Sequence, residues 1–187
     1  GSSIGTWRHA CLSLNDPRTA ISRLQQAYLY QEYSCARPSP IEVSEVAEQM
    51  LREALGPDGA RQIAAHPTLH NAIVTARAKG VARGKSGWKL GMGMFTATLG
   101  NAVSRKGLEL LFDRVAFCHD ELSSLPFADG FNTQLTPITE LNLIPALKAS
   151  GAIPFLMQSE LTIPGASGGP FWDGGIIDYH FTLKANQ

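Results

Sequence analysis

Apolar residues recur at helical spacing through the first third of the chain. Trp7, Ala10, Cys11 and Leu14 fall on one face of residues 6–14, and Asn15-Asp16-Pro17 then stops that run. Asp16 as N-cap, with Pro17 at the first helical position, opens a second helix whose stripe is Ile21, Leu24, Ala27 and Tyr28. Ser39-Pro40 repeats the start signal; Val43, Val46, Met50 and Leu51 turn inward and Gly56 ends the helix. The pattern then changes. Residues 72–76 (Ala-Ile-Val-Thr-Ala) are β-prone and precede a polar, Gly-rich loop at 79–87, and residues 114–118 form a second β-prone run. Between the two, residues 90–112 are apolar, with helical periodicity in the second half at Leu108, Leu111 and Phe112. Asn142 is placed to cap a helix over 143–150 that tolerates Pro145 in its first turn. Gly151-Ala152-Ile153-Pro154 ends it, and Phe155-Leu156-Met157 is expected as a buried strand or turn.

Strands alternating with helices predict an α/β layer architecture with a mainly parallel central sheet. At 187 residues and 44% hydrophobic content, one domain over residues 1–187 is the default. Sixteen basic side chains balance sixteen acidic ones, so no positive field favours nucleic acid as a partner. Cys11, Cys35 and Cys118 are odd in number and widely spaced; they read as thiols of a reducing compartment. The longest uncharged stretch, residues 90–104, has fifteen residues, short of the roughly 20 a spanning helix needs. Plain core is its simplest role, beside lining an acyl pocket or touching a membrane surface. His66, His70, His119 and Glu140 show no metal-ligand spacing, so no metal or other cofactor is expected.

The candidate chemistry begins at the first residues. Gly1-Ser2-Ser3-Ile4-Gly5 matches G-x-S-x-G, the nucleophile elbow in which a tight turn before a helix lifts a serine hydroxyl clear of the backbone. The pattern occurs again at Gly165-Ala166-Ser167-Gly168-Gly169, but only the first copy runs into an amphipathic helix. Ser3 is therefore the better nucleophile. Near the other end, Trp172-Asp173-Gly174-Gly175 puts a carboxylate ahead of a Gly pair and an apolar run, a turn that can present Asp173 rigidly at a sheet edge. Alone, Asp-Gly-Gly reads as an ordinary hairpin turn.

Taken together, Gly1-Ser2-Ser3-Ile4-Gly5 opening a helix, Ala149-Ser150-Gly151-Ala152-Ile153-Pro154, and Asp173-Gly174-Gly175 about twenty residues later resemble the patatin-like phospholipase family over nearly the whole chain. The resemblance implies a three-layer α/β/α fold and hydrolysis of fatty-acyl esters, with Ser3 as nucleophile and Asp173 as its direct base. It implies no cofactor, a lipid or acyl-ester substrate, and a cytoplasmic or membrane-peripheral setting. In that family a glycine-rich oxyanion loop lies on the strand before the elbow, and this chain starts after both. The N-terminal strand is thus expected to be missing, Ile4 to donate one oxyanion hydrogen bond from its backbone N–H, and the isolated chain to be weakly active or inactive.

Four other readings compete. A Ser-His-Asp hydrolase would use Ser3, Asp120 or Asp173, and His180. A chymotrypsin-like site would use Ser167, His66 and Asp113 or Asp120, but residues 16–56 read helical and too little chain follows Ser167 for a second barrel. Residues 80–86 miss a phosphate-binding loop by one glycine, since Lys79 stands at the required position. The last is a catalytically inactive, lipid-binding remnant of the same fold.

Overall fold

A computed structural model describes residues 1–83, 105–120 and 131–177. The chain opens with four helices: α1 (Ser3–Leu12), α2 (Pro17–Leu29), α3 (Pro40–Leu55) and α4 (Gly59–Ala64). After β1 (Ala72–Ala78) and a single 3₁₀ turn (Gly80–Arg83) come α5 (Arg105–Leu111), β2 (Phe112–Cys118), β3 (Thr133–Pro137), α6 (Leu143–Ser150) and β4 (Phe171–Asp173). A last 3₁₀ turn, Gly174–Ile176, follows β4 directly.

The helix starts obey local chemistry. The Asp16 carboxylate accepts from the Thr19 N–H at 3.1 Å, and the Ser39 hydroxyl accepts from the Glu42 N–H at 3.2 Å, each with proline at the first helical position. Gly56 ends α3 at a φ of 70°, a left-handed conformation that favours glycine. Asn142 behaves differently from the expected cap. Its side chain makes no bond to the helix N-terminus; it accepts from the Thr139 N–H and donates to the carbonyls of Pro137 and Pro164, stitching β3 to the later loop.

The four strands form one sheet in the order β3-β2-β1-β4. β1 lies antiparallel to both β2 and β4, and only β2 and β3 run parallel. The expectation of a mainly parallel sheet is therefore wrong, although the fold is α/β. Helix–strand alternation reports which layers exist, whereas strand direction depends on the edge to which each connection returns. β3, with its mixed burial, carries too weak an apolar alternation to have been read, and α4 follows Gly56 too closely to have been separated from the loop.

The two faces of the sheet bury different things. Ile73, Val115, Phe117 and Phe171 project toward α1, α2, α3, α4 and α6 and form the larger core. Ala76, Ala78 and Phe112 project the other way, onto Leu108 and Leu111 of α5, Phe131, Ile176 and Ile177. Phe112, expected as the last helical residue, is the first of β2. Phe155-Leu156-Met157 forms a turn in which Met157 is buried while Phe155 and Leu156 are exposed. The three cysteines are free thiols.

Candidate active site

Ser2 precedes α1 in an extended conformation (φ −135°, ψ 165°), and Ser3 then takes a φ of 56°. Left-handed backbone at a non-glycine residue costs of order 1–3 kcal/mol and persists only where the surroundings enforce it. Three contacts do so here. The Gly1 amine donates to the Ala72 carbonyl at 2.5 Å, and the Gly1 carbonyl accepts from the Val74 N–H at 2.9 Å, so Gly1 pairs with β1 in the parallel sense. The Ser3 N–H donates to the buried Ser150 hydroxyl at 3.2 Å. Behind the turn, Trp7 is 4% exposed and donates from its indole nitrogen to the Leu147 carbonyl at 2.8 Å, fixing α1 against α6.

Asp173 reaches the same place from the far end of the sequence. It pairs with Thr75 across β1 and donates its N–H to the Ala152 carbonyl at 3.0 Å. The end of α6 thus holds both partners: Ser150 meets the backbone of Ser3, and Ala152 meets the backbone of Asp173. The Asp173 carboxylate accepts from the Gly175 N–H at 2.8 Å, and the Ser3 side chain stands beside it. Burial pushes its pKa above the ordinary carboxylate value, and the Gly175 N–H and the nearby Ser3 hydroxyl only partly offset this.

The glycines of the two motifs do not share one role. A Cβ on Gly174 would sit 2.3 Å from the Val74 carbonyl oxygen, so only glycine lets this turn lie against β1. A Cβ on Gly175 would come within 3.2 Å of the Asp173 carboxylate. A Cβ on Gly1 would meet the Thr6 hydroxyl at 3.0 Å, whereas one on Gly5 would find open space. Of the two elbow glycines, Gly1 alone is therefore closely packed.

Ser3 and Ile4 border an apolar cavity of about 270 Å³ between α1, α2, α3 and the segment after α6. Ile4 and Gly5 stand in the first turn of α1, where backbone N–H groups have no intrahelical acceptor and the helix dipole favours negative charge. The site therefore offers a hydroxyl beside a buried carboxylate, N–H donors near it, and an apolar pocket.

The other sequence candidates are held in different ways. Ser167 is exposed and bonds to Arg77 and, at 3.1 Å, to the Gln134 side-chain oxygen. Arg77 also pairs with Asp113 at 3.0 Å, and Lys79 pairs with the same carboxylate at 2.7 Å. His66 accepts from the N–H groups of Thr68 and Leu69 in its own loop. The Ser167 loop is thus anchored through Arg77, and Asp113 is engaged by two cations rather than by a histidine. Arg77 was not singled out by its sequence context; a β1 arginine acquires this role only because Asp113 lies opposite it. Among the described residues, no group of three His, Cys, Asp or Glu side chains is placed to hold a metal ion. No helix among them is long and apolar enough to cross a membrane. His180, the uncharged stretch 90–104 and residues 84–86 of the near-miss phosphate loop lie outside the described residues; residues 80–83 form the first 3₁₀ turn.

In comparisons with known proteins, the chain matches no family model, no curated protein and no solved structure.

Proposed function

We propose that this chain is a serine acyl hydrolase of patatin-like type that cleaves fatty-acyl esters through a Ser3–Asp173 dyad. The observation that carries the reading is the placement of the Ser3 side chain beside the buried Asp173 carboxylate and at the border of an apolar cavity. The resemblance of the motifs around Ser3, Ser150 and Asp173 to that family supports it independently.

The chemistry follows from the arrangement. Asp173 accepts the Ser3 proton as the oxygen attacks the ester carbonyl, and the resulting oxyanion faces the N–H groups of Ile4 and Gly5. Collapse expels the alcohol, which takes the proton, and leaves an acyl-Ser3 ester. Water then enters, loses a proton to Asp173, and releases the fatty acid. An ordinary carboxylate is a weak base toward a serine hydroxyl. Burial corrects part of that mismatch by raising the basicity of Asp173, and direct contact removes the need for an intervening imidazole.

The test is covalent labelling with a fluorophosphonate probe, followed by mass-spectrometric mapping of the modified peptide. Label on Ser3 that disappears in Asp173→Asn is the expected result. Label on Ser167, or none on the folded full-length protein, would overturn the proposal.

A further inference from the structure

We propose that the cavity beside Ser3 is an acyl pocket sized for one unbranched chain of roughly eight to ten carbons, with Ala47 on α3 setting that limit. This rests on the acyl-hydrolase reading and names the substrate class of the same site.

The size argument starts from the volume. A water molecule takes up about 30 Å³ of liquid and a methylene group is of similar bulk, so 270 Å³ holds roughly nine such groups. That lies just below the roughly 300–1,000 Å³ of pockets for drug-sized ligands, so the two long chains of a membrane lipid do not fit together.

The lining is chemically uniform. None of its residues is charged, so nothing in the cavity would receive a phosphate or a cationic head group. Two of its polar groups are already paired: the Trp7 indole donates to Leu147, and the Tyr33 hydroxyl donates to Gln31 at 2.9 Å. A sugar or polar acid entering here would lose hydrogen bonds to water and find few in return. An alkyl chain loses none, and Met50 and Met157 supply adaptable thioether walls against it.

On the α3 wall, Ala47 is the position at which bulk is missing. It is 3% exposed and lies one turn from Val43 and Met50, in a wall otherwise built from large side chains. A leucine there would project into the space the chain needs. Tyr28 and Leu156, both exposed, stand where the cavity meets solvent.

The experiment measures kcat/KM on p-nitrophenyl esters from butanoate to hexadecanoate. Each buried methylene contributes up to about fourfold. The wild-type profile is expected to rise at least about tenfold from butanoate to octanoate and to fall again at hexadecanoate. In Ala47→Leu, the octanoate-to-butanoate ratio should drop at least about tenfold; in Val43→Ala, the optimum should move to longer chains. Ser3-dependent hydrolysis whose chain-length profile is flat, or is the same in Ala47→Leu, would overturn the pocket while leaving the dyad standing. A second readout does not depend on turnover: a brominated decanoate should quench the indole emission of Trp7, with the quenching lost in Trp7→Phe and in Ala47→Leu. If no ester is cleaved and Ser3 takes no label, the hydrolase reading fails. Trp7 quenching would then still support the pocket, and its absence from the wild-type chain would overturn it.

Discussion

Asp173 is 7% exposed, and its carboxylate has one hydrogen bond, from Gly175, and the nearby Ser3 hydroxyl to offset its burial. Because burial raises its folded-state pKa above the unfolded value of about 3.9, the ionised form costs stability in the native state. The sign follows directly. Relative to an uncharged residue, the native state suffers no penalty below about pH 3.9 and a growing one as pH rises through the folded-state value. Asp173→Asn should therefore melt at a higher temperature than the wild type at pH 7, with the difference vanishing near pH 3.5, as thermal unfolding at the two pH values would reveal. The acid limb of kcat/KM should in turn lie above the usual carboxylate range, because the base works only when ionised. A variant that melts lower at pH 7 would mean the carboxylate is better solvated than its position indicates.

At the scale of elements, local rules account for α2 and α3 almost completely, since Asp16, Ser39 and the prolines after them fix both starts and Gly56 fixes one end. The elbow and the Asp-Gly-Gly turn are built on a different footing, because their glycines answer to neighbours distant in sequence. Gly174 faces the Val74 carbonyl with no space for a side chain, whereas Gly5 faces none. Gly174→Ala is expected to push the turn off β1 and lower the melting temperature by several degrees or abolish folding. Gly5→Ala should raise stability by about 0.5–1 kcal/mol, because alanine is the better helix residue where space is open. Chemical denaturation of both variants separates the two cases; equal losses would show that neither the elbow nor the Asp-Gly-Gly turn tolerates a side chain at the glycine tested.

At the scale of the whole molecule, the two ends of the sheet carry different work. One end gathers Ser3, Ser150 and Asp173. At the other, Arg77 and Lys79 clamp Asp113, and Arg77 reaches across to Gln134 and the Ser167 loop. Asp113 is buried, which raises its pKa, but bonds from Lys79, Arg77 and Asn132 outweigh that and hold it below the usual carboxylate value. Its contribution to stability is thus present above about pH 3.9 and lost as pH falls through the lowered folded-state value. Asp113→Asn leaves Arg77, 13% exposed, without its counter-charge and should cost about 3 kcal/mol in urea unfolding at pH 7, much less at pH 3. A cost under about 1 kcal/mol would show that Gln134 and Ser167 hold Arg77 without the ion pair. Lys148 makes a comparable tie nearer the site, bonding Glu48 of α3 and Glu160 of the loop before β4.

Much of this was legible in the sequence because it is local. Helix starts, apolar stripes and the two β-prone runs depend on residues within a turn or two of one another, and Trp7, Ala10, Cys11 and Leu14 are buried where their spacing places them. The motifs around Ser3 and Asp173 were also readable as patterns of residue type. Their meeting was expected only through the family resemblance and not from the residues themselves, because it requires β4 to pair with β1 and the end of α6 to bond to both, contacts that span most of the chain. Strand direction, the space at each glycine and the counter-charge of Arg77 were closed to sequence reading for the same reason. Hydrogen-bond pairing between strands and desolvation of side chains depend on which distant segments become neighbours, and only the tertiary structure decides that.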